Sequence, residues 1–171
     1  MGFEEAITRI KRQTESCELN ILVWGPGPSG DDEHFAKRQK IKQEIMQCFR
    51  HADVRFSEEI DLSKILPGID QKDLGVTELL HLAACDVCVV LDTSKGPGEE
   101  IAHYVRSPDA YKLLILTHER YASATSFPAA LRQYQNQLFY DDHQYATCNL
   151  VEHVLTRITI VAFAKLNGYR V

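Results

Sequence analysis

One apolar run restricts the fold of this chain more than any other feature. Between Asp86 and Asp92 lie five consecutive Val, Cys and Leu residues with no polar side chain among them. A strand that is apolar at every position, and not only at every second one, is typical of a parallel sheet covered on both faces. The run therefore predicts a central strand with helices packed on either side of it.

Segments typical of strands and of helices alternate over the rest of the chain. Apolar runs bounded by turn residues predict four further strands, over residues 19–24, 52–57, 112–117 and 138–140. The second of these is polar enough for a position near a sheet edge. Apolar stripes at helical spacing predict helices over residues 3–15, about 32–49, 74–84, 97–105 and 150–166. Residues 128–135 stay open between helix and loop. We expect a single α/β domain over residues 1–171, with a mostly parallel sheet of four or five strands.

Composition excludes several classes of function. The 171 residues are 44% hydrophobic and 25% charged, as in an ordinary globular domain, and the net charge is −5. That charge lacks the basic field that coating a nucleic acid requires, so we expect a small-molecule site. The charged N-terminal residues do not resemble a secretory signal, and no apolar stretch is long and uncharged enough to span a bilayer. We therefore predict a cytoplasmic protein with no membrane role.

Cysteine and histidine spacing gives no metal site. Cys85 and Cys88 have CxxC spacing, but they fall in the strongest predicted strand, where residues three apart point to opposite faces. We interpret them as small buried hydrophobes and not as a redox or zinc pair. The seven histidines show no metal-binding spacing, and we predict neither a metal nor another cofactor.

Two loops are the places where this fold would hold its chemistry. In an open parallel sheet, ligands bind beyond the carboxyl ends of the strands, where the strand order switches direction. The predicted strands end at Trp24 and at Asp92, and each is followed by a loop rich in Gly and Pro. We expect these two loops to line one crevice.

The loop after Asp92 leads into a predicted helix. Pro97 suits the first helical position, which makes Gly96 the N-cap, and Gly98 lets a ligand approach the backbone. Glu99 and Glu100 then lie near the positive end of the helix, which favours their ionised form and suits a carboxylate nucleophile. The alternative is structural, because a glutamate at this position also caps a helix. Capping is the better interpretation of Glu99, and the two interpretations are balanced for Glu100.

The loop after Trp24 does not have the sequence of a phosphate-binding loop. It runs Gly25-Pro26-Gly27-Pro28-Ser29-Gly30, without the Gly-Lys-Ser/Thr of a Walker A motif, and its prolines remove amides that would hold phosphate. Rigid prolines suit the wall of a pocket. Trp24 either stacks on a base or, the more common outcome, is buried against the following helix.

A basic run follows in that helix. Lys37, Arg38, Lys40 and Lys42 predict a solvated helix face. The alternative is a phosphate contact made by Arg38.

These loops together resemble the nucleoside 2-deoxyribosyltransferase family. The resemblance covers about residues 19–118: a strand ending in Gly25-Pro26, and a Val-rich strand followed by Gly96-Pro97-Gly98-Glu99-Glu100-Ile101. It implies a flavodoxin-like three-layer sandwich. The chain departs from the family pattern in several places. Leu22 stands in place of a tyrosine, Ala102 in place of a glycine, and Ser94 in place of an acidic residue that is met two positions earlier, at Asp92. Asp73 and Glu78 both suit the family's base-recognition carboxylate.

The resemblance also implies an activity, which is cleavage of the N-glycosidic bond of a nucleoside or nucleotide. Glu100 matches the family's catalytic glutamate, which attacks the anomeric carbon, and Asp92 suits assistance to the departing base. The residues expected to line the substrate pocket are Trp24, Gly25, Pro26, Ser94, Gly96 and Gly98. The choice between hydrolase and transferase stays open, with hydrolysis favoured.

Other functions fit the same crevice. One is NAD hydrolysis, as in Toll/interleukin-receptor-like domains, and another is the chemistry of the phosphoribohydrolase group. A third is a non-catalytic module that binds a nucleotide or a protein partner. Separately, Ile160 and Phe163 lie partly off the main apolar stripe of the last helix, which suggests a homo-oligomer.

Overall fold

A computed structural model describes most of the chain. The described residues are 2–25, 27, 32–64, 66, 68, 74–92, 104–119, 136–141 and 150–169. Of the predicted helix over 97–105, only the last two residues are described. Residues 128–135, for which the sequence left helix and loop as alternatives, lie outside the described residues.

Five parallel strands form one sheet in the described part of the chain. They are β1 (Asn20–Trp24), β2 (Asp53–Arg55), β3 (Val87–Asp92), β4 (Leu113–His118) and β5 (Gln137–Tyr140). Their order across the sheet is β2-β1-β3-β4-β5, and every neighbouring pair is parallel. This is the flavodoxin-like strand order, whose switch point lies between β1 and β3. The expected fold class is confirmed, with five strands among the described residues.

Four described helices flank the sheet. They are α1 (Phe3–Glu15), α2 (Asp32–Cys48), α3 (Leu74–Ala84) and α4 (Leu150–Leu166). Each agrees with its predicted range to within one or two residues, because the apolar spacing that a core-facing helix needs is visible in the sequence. Short 3₁₀ turns lie over Ser57–Glu59, Leu62–Lys64 and Ala110–Lys112.

Alternate residues of the strands build a separate core on each face of the sheet. Ile21, Val23, Val89 and Leu91 face α2 and α4, where they pack against residues such as Ile45. On the other face, a second core holds Leu22, Trp24, Cys88, Val90 and Ile115 together with Leu82 of α3 and Tyr104. The central strands are therefore covered on both faces, which explains the consecutive apolar residues over 21–24, 87–91 and 113–116.

The outer strands differ from the central ones, as their composition predicts. β2 is an edge strand in which only Val54 is buried, while Asp53 and Arg55 are exposed and form an ion pair at 2.8 Å. The polar composition of this strand is thus explained by its position.

The expected separation of the two neighbouring cysteines is wrong. Cys85 and Cys88 are both buried, as predicted, but they pack into the same core on the α3 face. The strand begins only at Val87, so Cys85 lies in the short link between α3 and β3, where strand alternation does not apply. Its thiol donates to the carbonyl oxygen of Leu82 at 3.3 Å, and burial raises the pKa of Cys88 well above its usual value. Both are free thiols.

Candidate active site

The carboxyl ends of β1 and β3 lie side by side at the switch point of the sheet. Trp24 pairs with Val90 in the parallel register, so β3 continues to Leu91 and Asp92 beside the loop that leaves β1. A Cβ atom placed on Gly25 would lie 3.2 Å from Cβ of Leu91. Gly25, the first residue of the loop after β1, is therefore in close contact with Leu91 near the end of β3. Strand β3 is the one that leads to the second predicted loop.

Gly25 is also confined by its backbone and by α2. Its φ is +156°, which residues with a side chain rarely adopt, and its Cβ position lies 3.3 Å from Cδ of Arg38. Gly27 differs, since a Cβ atom there would meet nothing within 4 Å. Glycine is thus required at the first of these positions by crowding between two elements.

Trp24 is buried in the core of the α3 face, with 7% of its surface exposed. Its ring lies 5.2 Å from the ring of Tyr104, at an interplanar angle of 58°. This placement fits the buried alternative, although the packing is on the face opposite α2 and not against it. The indole Nε1 has no hydrogen-bond partner among the described residues.

Tyr104 ties three elements together at this end of the sheet. Its ring packs on Trp24 of β1, and its hydroxyl donates a hydrogen bond to Glu78 of α3. Glu78 is one of the two carboxylates considered for base recognition, and in the structure it accepts a hydrogen bond from Tyr104. Tyr104, which lies near the end of the predicted helix 97–105, therefore packs against the carboxyl end of β1.

The basic run in α2 is not a solvated face, which corrects the sequence prediction for its first two members. Arg38 is 1% exposed, and Lys37 is also buried. The Arg38 guanidinium donates from Nε and Nη2 to the carbonyl oxygen of Val23, at 3.0 and 2.8 Å. Strand β2 ends at Arg55, opposite Leu22, so no β2 residue is paired with Val23. Arg38 takes that position.

Glu58 is the second partner of this arginine. Both of its carboxylate oxygens accept from Nη1 and Nη2 of Arg38 at 2.7 Å, a bidentate pair. Burial by itself would raise the pKa of Glu58, but the hydrogen bonds and charge of Arg38 outweigh it and lower that pKa. The guanidinium also lies 4.2 Å above the ring of Phe56. These contacts fix the Arg38 side chain next to Gly25. Because its guanidinium is engaged in them, the structure disfavours the alternative in which Arg38 contacts a phosphate.

A cleft of about 300 Å³ opens at the opposite end of the sheet. It is lined by the first three residues of β1, by Asp53 and Arg55 of β2, by Ile60 and Leu62, and by His81 on α3. His81 is 4% exposed and neither ring nitrogen has a hydrogen-bond partner among the described residues. Burial lowers the pKa of His81. No sequence motif marks this cleft, because its lining comes from four separated segments of the chain.

The other predicted site residues fall beyond what the structure describes. Pro26, Ser94, Gly96, Gly98 and Glu100 lie outside the described residues. Asp92 is described as the last residue of β3, without its side chain. The described residues include no group of three or more His, Cys, Asp or Glu side chains that could hold a metal ion. Among the described helices, none combines the length and apolarity that crossing a membrane requires.

No family model matches the sequence, and no curated protein matches it. The chain can be superposed on the crystal structure of a conserved protein from Enterococcus faecalis, with 17% sequence identity and a TM-score of 0.45. That superposition covers 82% of this chain and 99% of the other.

Proposed function

We propose that this protein cleaves the N-glycosidic bond of a nucleoside or nucleotide at the carboxyl ends of β1 and β3, with Glu100 as nucleophile. The observation that carries the proposal is the position of Tyr104 against Trp24. Four residues of chain span at most about 14 Å, and one turn of helix only about 6 Å. Glu100 precedes Tyr104 by four residues, so its Cα atom can lie no more than about 14 Å from that of Tyr104.

The strand order supports the same location from the other side. Asp92 ends β3 next to β1, at the switch point where open α/β sheets bind ligands. Gly25 and Leu91 are in near contact there. The two segments that the sequence singles out thus begin at one place, and they come from different parts of the chain.

The chemistry assigns a role to each of the two carboxyl groups. A carboxylate oxygen of Glu100 bonds to the anomeric carbon as the bond from that carbon to the base nitrogen breaks, and the bonding electrons leave on the base. Asp92 donates a proton or hydrogen bond to the departing base. Water then displaces Glu100 from the sugar and gives a proton to the Asp92 carboxylate, which yields free sugar and restores both carboxyl groups. Hydrolysis is the favoured outcome, and attack by a second base would instead give transfer.

The test is release of free base. Wild-type protein is incubated with pooled deoxynucleosides, their 5′-monophosphates and NAD, and the products are separated by chromatography. Glu100→Gln should reduce release by about 10³-fold or more, because it removes the nucleophile. Glu99→Gln is the matched control, since it removes the same charge one residue away, and it should retain most of the activity.

The outcomes separate the candidate functions. Release of nicotinamide alone would assign the protein to NAD hydrolysis by the same glutamate. Equal activity in Glu100→Gln and wild type would contradict the assigned nucleophile. If the wild type releases no base from any substrate, the proposal is wrong and a non-catalytic nucleotide-binding module takes its place.

A further inference from the structure

Helix α1 has an apolar stripe that the rest of the described chain leaves largely uncovered. Phe3, Ile7, Ile10 and Thr14 follow one another at helical spacing on one face. Their exposure falls along the helix, from 87% for Phe3 and 55% for Ile7 to 0% for Thr14. The C-terminal end of α1 is therefore packed on the molecule, while the apolar side chains of its first two turns face solvent.

A groove begins where the packed half of α1 meets α4. It has a volume of about 810 Å³, and its walls include Arg9, Ile10 and Arg12 from α1 with Phe163 and Leu166 from α4. Phe163 and Leu166 are 39% and 51% exposed. The exposed apolar side chains of α1 and the apolar side chains of this groove thus form neighbouring parts of one surface.

The charges on α1 are arranged in a complementary way. Glu4 and Glu5 lie in its first turn beside Phe3, and Arg9 and Arg12 line the groove. Neither arginine side chain makes an ion pair with another described residue. An acidic, apolar helix start and a basic, apolar groove are therefore present on the same protein.

We propose that a second copy of this chain covers this surface, as a two-fold symmetric dimer. Two α1 helices pair antiparallel, so that Phe3 and Ile7 of each copy enter the groove of the other. Glu4 and Glu5 of one copy then lie near Arg12 and Arg9 of its partner, and the symmetry makes every contact twice. The last helix contributes Phe163, one of the two residues that first suggested an oligomer.

The charge count of α1 favours a second copy over a lipid surface. Three acidic residues, Glu4, Glu5 and Glu15, balance the three basic residues Arg9, Lys11 and Arg12. Helices that lie on anionic membranes carry a basic polar face, which this balance does not provide. Opposite charges at the two ends of one helix are what an antiparallel pair requires.

Sedimentation velocity on the full chain tests the dimer. We expect a species of about 39 kDa, twice the 19.5 kDa of one chain, at protein concentrations of about 10 µM and low salt. Phe3→Asp and Ile7→Asp should each weaken association by about 30-fold or more. Met46→Asp is the matched control on α2, since Met46 is 51% exposed and lies outside this surface. It should leave the dimer intact.

A charge exchange distinguishes the proposed pairing from a general apolar contact. Glu4→Arg and Arg12→Glu should each weaken the dimer, and the double variant should recover most of the lost affinity, because it restores opposite charges across the interface. Circular dichroism confirms that each variant is folded.

Three results would overturn the proposal. The first is a wild type that stays monomeric at about 100 µM. The second is a dimer that Phe3→Asp and Ile7→Asp leave unchanged. The third is a monomer that floats with phosphatidylglycerol vesicles and loses this binding in Phe3→Asp, which would assign the surface to lipid.

Discussion

Arg38 shows how a single side chain can complete a sheet where a strand is too short. Strand β2 has only three residues, and the carbonyl oxygen of Val23 extends past its end. A buried carbonyl oxygen without a partner costs about 1–3 kcal/mol. Arg38 removes that cost with two donors and is itself neutralised by Glu58. Because Cδ of Arg38 lies 3.3 Å from the Cβ position of Gly25, this arginine also supports the proposed site.

Replacing Arg38 by methionine should lower the free energy of unfolding by about 2–4 kcal/mol, because the carbonyl oxygen of Val23 and the carboxylate of Glu58 both lose their donor. Glu58→Gln should cost about 1 kcal/mol, since the Glu58 side chain is 47% exposed and water replaces part of the interaction. Urea denaturation measures both values. Lys40→Met, in the same helix, should stay within about 0.5 kcal/mol of wild type. An equally small effect at Arg38 would show that the pair does not support the fold.

His81 gives the protein a predicted sensitivity to acid. Its pKa is lowered in the folded protein by burial, so the unfolded chain binds a proton at His81 more readily than the folded one. Stability should therefore fall as the pH drops below the unfolded value of about 6.5. His81→Leu should reduce this dependence between pH 7.5 and 5, as measured by the free energy of unfolding at each pH. If the two proteins show the same pH profile, His81 is not the group responsible.

At the scale of elements, helices and strands could be located from the sequence because their apolar spacing reports burial. The range of α4 was predicted without error, and β3 was located to within one residue. The contacts that matter most for the site could not be predicted. Hydropathy assigns Arg38 to solvent, and its partners are a backbone carbonyl 15 residues before it and a carboxylate 20 residues after it. The exposed stripe of α1 has the same pattern as a buried one.

Gly25 lies close to Leu91 of β3 and to Arg38 of α2. A substitution at Gly25 should therefore strain both contacts. Gly25→Ala should cost about 1–3 kcal/mol, because its Cβ would press on Leu91 and Arg38 at a φ of +156°. Gly27→Ala is the control, since its Cβ would meet nothing within 4 Å, and it should change stability by about 0.5 kcal/mol or less. Thermal unfolding compares the two variants. Equal stabilities would mean that the contact between the end of β1 and β3 is not tight.

At the scale of the whole molecule, the strand order brings together parts of the chain that are far apart in sequence. Trp24 and Asp92 lie 68 residues apart, yet they end adjacent strands of the sheet. Tyr104, which follows Asp92 in the sequence, packs its ring against Trp24. Sequence alone predicted that the two loops meet, because parallel sheets place their loops at one edge. It did not predict the hydrogen bond between Tyr104 and Glu78.

The most direct measurement is the location of a sugar on the protein. A reaction with the substrate that releases base is quenched in acid, digested and mapped by mass spectrometry, with Glu100→Gln treated in parallel. We expect one sugar on the wild-type peptide that contains Glu100 and none on the variant, because the glutamate is the proposed point of attachment. A sugar on another peptide, or base release that persists in Glu100→Gln, would contradict the proposed nucleophile and the site built around it.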